Sequence, residues 1–305
     1  MRGRSPGFRG FTHLLAVVAV ATFIIGVVAP GALMCQRVYP GRVPIDDDPA
    51  RHGLTFEPIE FESLLDGTRL SGWYLPAPVP TGRAVVVVPG IDDNRLQSGI
   101  TLRLAPALLE AGLDVLAIDL RGEGDSGPGP ITFGAREQWD VLAAVEEARD
   151  RGAVGVAVLG FSLGAGATIL AAARSTEIDA LVTDSAFVDL EETFGRELER
   201  FYRLPPSVIP YVLGWYRLWS GTDTAEVSPG SVIAAISPRP ILLIHGAADA
   251  TIPATDSERL LQLAASPTAD LWIVPGGEHA RSYFADTAGY AERLVEFLQR
   301  ALPPA

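Results

Sequence analysis

The chain has 305 residues, of which 48% are hydrophobic and 20% charged, so it has ample material for a buried core and no compositional sign of general disorder. Its single cysteine excludes an internal disulfide framework and any metal site built on several cysteines. Residues 1–45 carry five arginines and no acid, so the total net charge of −13 corresponds to −18 on the remaining residues. Because so acidic a body repels phosphate groups, a nucleic-acid partner is not expected.

The first predicted element is an apolar segment near the N-terminus. Residues 11–34 contain no charged side chain, and as a helix they would rise about 36 Å, enough to cross a hydrocarbon core of roughly 30 Å. The apolar part of a signal peptide is usually shorter, about 7–15 residues. We therefore interpret residues 1–36 as an uncleaved, single-pass membrane anchor. The alternative is a cleaved signal and a secreted protein.

Charges on the two sides of this segment indicate its orientation. Three arginines precede the apolar run and two follow it, which favours a cytoplasmic N-terminus. The rest of the chain would then lie outside the cytoplasm. Residues 37–53, which are polar and contain several prolines, are interpreted as a tether between the anchor and the body.

Two strand-like pieces open the body. Residues 54–63 partly alternate between apolar and polar side chains, residues 69–75 resume the pattern, and Asp66-Gly67 provides a turn between them. Two such runs joined by a glycine-containing turn predict an antiparallel hairpin.

Six continuous apolar runs then alternate with helix-like stretches. Runs of this kind are typical of strands that are buried on both faces of a sheet. They cover residues 84–88, 115–118, 156–159, 180–182, 241–244 and 271–274. Buried strands alternating with helices predict an α/β protein with a mostly parallel, doubly wound sheet and right-handed crossovers. The antiparallel hairpin should lie at the edge of this sheet.

One segment, residues 187–236 between the fourth and fifth runs, breaks the alternation. It is longer than a crossover helix requires, and it is rich in aromatic residues and interrupted by prolines. We interpret it as an inserted helical cap that divides an α/β core of residues 54–186 and 237–305.

Three aromatic residues in this cap are candidates for substrate binding. Tyr211, Trp215 and Trp219 are spaced by four and therefore share one side of a helix. We predict that they line an apolar cleft over the site. They could instead form the cap's own core or lie against a lipid interface.

The strongest motif follows the third run. Gly160-Phe161-Ser162-Leu163-Gly164 has the pattern Gly-x-Ser-x-Gly between a strand and a helix. Ligands of open α/β sheets bind beyond the carboxyl ends of the strands. A serine on so tight a turn there has its hydroxyl exposed for nucleophilic attack. The alternative is a tight glycine turn with an idle serine.

A nucleophilic serine needs a base, and the base needs an orienting acid. Asp249 follows the fifth run and His279 follows the sixth, so both stand at carboxyl ends of strands. We predict that Ser162 is the nucleophile, His279 the base and Asp249 the acid. Asp184, after the fourth run, is the rival acid. We interpret His245, at the end of its own run, as structural.

The oxyanion of a tetrahedral intermediate needs two backbone N–H donors. We predict that one comes from Leu163, the residue after the nucleophile, and the other from Ile91, in the loop after the first run. Gly90 beside it permits a close approach of the backbone.

With these motifs in place, the chain from about residue 54 to 302 resembles an α/β-hydrolase, of the group that includes serine aminopeptidase-like and acyl hydrolases. The resemblance rests on Pro89-Gly90-Ile91, the segment from Asp119 to Ser126, the turn at Ser162, Asp249 with Ile252-Pro253, and Gly277-Glu278-His279. Two positions depart from the family pattern, Pro89 where a histidine is usual and Glu123 where a histidine or tyrosine is usual.

The resemblance implies a serine hydrolase that cleaves an ester or amide bond through an acyl-enzyme and requires no cofactor and no metal. The expected partners are a small, apolar acyl ester or a peptide and, through the N-terminal segment, a membrane, while the oligomeric state is left open. A peptidase is one alternative, in which Glu191 and Glu192 would bind the amino terminus of a peptide. A non-catalytic, membrane-tethered binding protein on the same fold is another, because fold does not determine function.

Overall fold

The computed structural model describes residues 6–303, so the first five residues of the predicted anchor and the last two residues of the chain lie outside the described part. Within it, eight strands form one sheet. They are β1 (Glu57–Glu62), β2 (Arg69–Leu75), β3 (Arg83–Val88), β4 (Leu113–Ile118), β5 (Gly155–Phe161), β6 (Ala180–Asp184), β7 (Ile241–Gly246) and β8 (Ala269–Val274).

The strand order confirms the predicted architecture. The sheet runs β1-β2-β4-β3-β5-β6-β7-β8. Strands β1 and β2 pair antiparallel, and β2 pairs antiparallel with β4. All other neighbours are parallel. The hairpin therefore lies at one edge of a parallel sheet, and the carboxyl ends of β3–β8 lie on one side of it.

The helices fall between the strands, as the alternation of the sequence predicts. They are α1 (Pro6–Phe23), α2 (Ala29–Val38), α3 (Ile100–Glu110), α4 (Glu137–Asp150), α5 (Leu163–Arg174), α6 (Leu190–Tyr202), α7 (Ile209–Ser220), α8 (Pro229–Val232), α9 (Thr255–Ala264), α10 (Ser282–Ala285) and α11 (Thr287–Ala301). A π-helical stretch, Ile24–Val28, joins α1 to α2, so the helix is continuous from residue 6 to 38.

The core lies on both faces of the sheet. In β3, Val86 and Val88 pack into one apolar cluster with α4 and α5, while Val85 and Val87 pack into a second cluster with α3 and α11. Neighbouring side chains of a strand point to opposite faces. A strand covered on both sides therefore has no polar positions, which explains the continuous run of valines.

The N-terminal helix is long and apolar enough to cross a membrane. Within the stretch from His13 to Val38, 18 consecutive residues have a mean hydropathy of 2.5. Its side chains from His13 to Ala21 are exposed. The far end is different, because Met34 and Val38 are 3% and 0% exposed and belong to the apolar cluster that includes the cap.

The residues predicted as a tether lie against the body. Ile131 N–H donates to the Val38 carbonyl at 2.8 Å. The Arg42 guanidinium donates to the carbonyls of Gly124 and Ser126 at 2.7 and 2.6 Å. These polar contacts connect Val38 and Arg42 to the loop after β4.

The segment predicted as a cap, residues 187–236, contains α6, α7 and α8 between β6 and β7. Phe194 of α6 packs edge-to-face on Phe133 and on Tyr216 of α7, with ring centroids 4.9 and 5.3 Å apart. These rings connect the cap segment to the core beneath it. The exact domain bounds stay a prediction.

Candidate active site

The turn at Ser162 is tight and strained. Ser162 has φ 49° and ψ −110°, a conformation that non-glycine residues rarely adopt. The two glycines of the motif are required by packing. A Cβ on Gly160 would lie 2.5 Å from the Gly164 carbonyl, and one on Gly164 would lie 2.4 Å from the Pro89 carbonyl. Because these positions have no Cβ, β5, α5 and the loop after β3 can pack closely around the serine.

Three predicted side chains meet above this turn. Ser162 Oγ lies 2.8 Å from His279 Nε2, and His279 Nδ1 lies 2.8 Å from Asp249 Oδ2. The chain brings them together from the ends of β5, β8 and β7, as sequence order and parallel pairing require. The Asp249 side chain is buried, while that of His279 is 25% exposed.

Asp249 is held by a second histidine that the sequence did not assign to the site. His245, fully buried in β7, places Nε2 3.3 Å from Asp249 Oδ2 and 3.0 Å from the Ile252 carbonyl. Burial alone would raise the pKa of Asp249, but hydrogen bonds from His245 and His279 outweigh it and hold that pKa well below its ordinary value. The carboxylate is thus kept ionised.

Asp184, the rival acid, contacts serine hydroxyls. Its Oδ1 accepts hydrogen bonds from Ser282 Oγ at 2.9 Å and from Ser185 Oγ at 3.2 Å. Ser185 Oγ also accepts from Ala280 N–H at 2.9 Å. These contacts fasten the loop that carries His279 to the end of β6. Burial raises the pKa of Asp184 to about 6.

The loop after β3 is held by two side chains. Gly90 N–H donates to Gln97 Oε1, and Asp92 N–H donates to Glu123 Oε1, both at 2.8 Å. Glu123 is 2% exposed, and burial raises the pKa of its carboxyl well above the ordinary value. Ile91, between these two anchored amides, is the residue predicted to donate to the oxyanion.

Both predicted oxyanion donors adjoin the nucleophile. Leu163 begins α5, where the first N–H groups of a helix have no intrahelical partner. Leu163 and Ile91 line one cleft with Ser162 and His279.

The cleft has a volume of about 480 Å³ and walls that are mainly apolar. Apolar and aromatic residues supply most of its lining: Ile91, Phe133, Leu163, Phe187, Leu190, Phe194, Phe201, Tyr202 and Ile252. Its polar wall includes Arg37 of α2, which forms an ion pair with Glu197 of α6. The N-terminal helix therefore contributes a residue to the cleft, which no sequence pattern indicated.

The structure does not bring the three predicted cap aromatics into this cleft. Trp219 Nε1–H donates to the Gly31 carbonyl of α2 at 2.9 Å. Trp215 lies against Gly31 as well, where an added Cβ would meet its ring at 3.3 Å, and Tyr211 packs edge-on against Trp215. Trp215 and Trp219 therefore face the N-terminal helix instead of the cleft, and Tyr211 packs beside Trp215 with 46% of its surface exposed.

The acidic pair proposed for peptide binding also lies elsewhere. Glu192 accepts from the Arg259 guanidinium at 2.7 Å, on the outside of α6. Glu191 lines a separate depression with residues of α7. Neither lines the cleft of Ser162.

Comparisons with known proteins place the chain among relatives over most of its length. Residues 83–211 match the family model described as the alpha/beta hydrolase fold. The uncharacterized protein YfhR of Escherichia coli K12 is 32% identical over 297 residues, which cover 92% of this chain and 95% of that protein. The uncharacterized protein YqkD of Bacillus subtilis strain 168 is 32% identical over 239 residues, 76% of each chain.

A solved structure is also similar. The esterase Pf2001 of Pyrococcus furiosus superposes with a TM-score of 0.74 at 26% identity, over 88% of this chain and 99% of that one. The similarity therefore extends far beyond the serine motif.

Proposed function

Since this chain belongs to the α/β-hydrolase family, we propose that it is a serine hydrolase that cleaves ester bonds of small, apolar acyl substrates through Ser162, His279 and Asp249. One observation carries the proposal. The serine hydroxyl, imidazole and carboxylate form an unbroken hydrogen-bonded series at 2.8 Å per step, and that series opens into a mainly apolar cleft. A hydrolase of the esterase-like type needs this arrangement of nucleophile, base and acid.

The proposed reaction follows from the contacts. His279 Nε2 accepts the Ser162 proton as Oγ attacks the acyl carbonyl, and Asp249 fixes the tautomer and stabilises the imidazolium. The N–H groups of Leu163 and Ile91 bind the oxyanion. His279 then donates its proton to the leaving alcohol, and water, activated by the same imidazole, hydrolyses the acyl-enzyme and restores the serine.

The cleft supports an ester with an apolar acyl group in preference to a peptide. Aromatic and aliphatic side chains surround the serine and provide favourable burial for an acyl chain. The acidic residues that would select a peptide amino terminus, Glu191 and Glu192, lie outside it.

We also propose that the N-terminal helix remains attached as a membrane anchor, with the body outside the cytoplasm. A cleaved signal leaves the mature protein and has no role in its packing. Here Met34 and Val38 are buried and Gly31 accepts a hydrogen bond from Trp219. These contacts support a helix that stays with the folded body.

Ester turnover tests the proposed function. The full chain in detergent should hydrolyse p-nitrophenyl esters from acetyl to decanoyl, and Ser162→Ala should abolish turnover. Ser231→Ala, on the surface of the cap segment, is the matched control and should retain it. Equal turnover by Ser162→Ala and the wild type would exclude this serine as nucleophile.

A further inference from the structure

The surface beside the N-terminal helix differs in composition from the rest of the acidic body. Residues 200–220, here called the cap rim, contain Arg200, Arg203 and Arg217 and no acid, in a chain of net charge −13. The rim also exposes large apolar and aromatic side chains: Phe201 at 56%, Tyr202 at 46%, Tyr211 at 46% and Leu218 at 68%. Arginines among tyrosines and tryptophans are typical of surfaces in contact with anionic lipid headgroups.

The position of the rim follows from the length of the anchor. Residues 11–34 carry no charged side chain. About 20 helical residues span the hydrocarbon core, so a span within this uncharged run ends between about residue 30 and residue 34. The last turns of α2 therefore lie at or beyond the edge of the hydrocarbon.

Helix α7 is attached at this depth. Trp219 donates to the Gly31 carbonyl, and Tyr39 OH donates to the Trp219 carbonyl at 3.3 Å. Because these contacts bind α7 along α2, α7 is at the level where the anchor leaves the hydrocarbon. With the helix as a membrane anchor, the exposed side chains of α7 would face the headgroup layer.

We propose that the cap rim docks on the headgroup layer of a bilayer containing anionic lipid, with the mouth of the cleft at that surface. This inference rests on the proposed anchor. Arg217 is paired with Asp223 at 3.0 Å, so Arg200 and Arg203 are the arginines that attract anionic headgroups. The acidic remainder is repelled, and the body is therefore oriented with its rim toward the bilayer. The aromatic side chains bury their rings in the interfacial layer.

The docked orientation determines how substrate reaches the serine. Phe201 and Tyr202 belong to the rim and also line the cleft that contains Ser162. Arg37 of the anchor helix lines the same cleft. An amphiphilic ester dissolved in the bilayer would pass from lipid to these apolar side chains without crossing water. Esters that partition into membranes are therefore the substrate class that this arrangement favours.

Depth-dependent quenching of tryptophan fluorescence tests the docking. The full chain is placed in vesicles of phosphatidylcholine and phosphatidylglycerol whose acyl chains carry bromine next to the headgroup. Tyr211→Trp adds an indole to the rim. Val79→Trp is the control, because Val79 is 76% exposed and lies in the loop before β3, at the amino ends of the parallel strands, whereas the cap segment follows the carboxyl end of β6. Both positions are exposed, so neither change disturbs the core.

We expect the emission added by Tyr211→Trp to be quenched and the emission added by Val79→Trp to be unaffected. If the protein floats with the vesicles but neither added emission is quenched, or both are quenched alike, the docking is overturned. Omitting phosphatidylglycerol should weaken the quenching at Tyr211→Trp. Quenching that stays equally strong without this anionic lipid would show that the arginines do not attract the headgroups. Failure to float overturns the anchor, and no outcome depends on ester hydrolysis, so the enzymatic proposal is tested separately.

Discussion

Two aspartates at the ends of neighbouring strands, Asp249 and Asp184, have similar sequence positions but different contacts. Asp249 and Asp184 both follow buried strands, and spacing alone leaves either as the partner of His279. The contacts separate them. Asp249 lies between two imidazoles, whereas Asp184 accepts hydrogen bonds from serine hydroxyls that position the next loop.

This division predicts unequal effects of two matched substitutions. Asp249→Asn should lower kcat for an activated ester by about 10³- to 10⁴-fold, because the imidazole loses the carboxylate that fixes its tautomer. Asp184→Asn keeps an acceptor oxygen for Ser282 and should lower kcat less than about tenfold. Steady-state kinetics of both variants at one pH measures the difference. A severe Asp184→Asn with a mild Asp249→Asn would reverse the assignment.

Asp184 should also make stability depend on pH. Burial raises its pKa from an ordinary 3.8 to about 6, so the folded protein binds this proton more tightly than the unfolded chain. The folded state is therefore favoured at low pH and loses up to about 3 kcal/mol as pH rises through this range. Asp184→Asn removes that loss.

The measurement is the melting temperature of Asp184→Asn minus that of the wild type, taken from pH 4 to pH 7. The difference should grow more positive as pH rises. A difference that is constant, or that falls, would show that Asp184 does not titrate in this range.

At the scale of elements, the strands could be predicted and the partner of α7 could not. A strand between two helical layers must be apolar at every position, so the valines of β3 identify it without knowledge of its neighbours. The spacing of Tyr211, Trp215 and Trp219 shows only that they share a side of α7. What that side faces depends on a contact with Gly31, 188 residues away, which leaves no local pattern.

Different elements should therefore control acyl selectivity and cap attachment. Phe194 of α6 lines the cleft, and Phe194→Ala should shift the preferred p-nitrophenyl ester toward longer acyl chains, at a stability cost of about 3–5 kcal/mol. Trp219→Phe loses the hydrogen bond to Gly31 and should lower the melting temperature without changing the chain-length profile. Ratios of kcat/KM from acetyl to decanoyl esters compare the two. A changed acyl chain-length preference in Trp219→Phe, with an unchanged preference in Phe194→Ala, would show that Trp219 and not Phe194 contacts the acyl group.

Across the whole molecule, the N-terminal helix, the cap segment and the cleft are in contact with one another. The sequence indicated an apolar helix, a tether and a body as successive parts, because composition changes at their borders. It did not indicate that α2 packs on the cap or that Arg37 reaches the cleft, since both depend on how distant segments meet.

Because of these contacts, we predict that the effect of an N-terminal truncation on stability depends on where within the first 50 residues the chain is cut. A chain that begins at Gly26 keeps Gly31, Met34 and Val38 and should retain the melting temperature of the full protein. A chain that begins at Arg51 uncovers the apolar side of the cap and should melt at a lower temperature and aggregate without detergent. Light scattering and thermal melts compare the two, and equal behaviour would show that α2 does not stabilise the body.

The central claim, that Ser162 is an activated nucleophile, is tested most directly by a fluorophosphonate probe. The probe reacts covalently with an activated serine hydroxyl, and mass spectrometry of the digested full chain locates the modified residue. We expect a single modified peptide that contains Ser162, with the modification lost in Ser162→Ala and strongly reduced in His279→Ala. A folded protein that is not modified, or is modified at another serine, would contradict the proposed function.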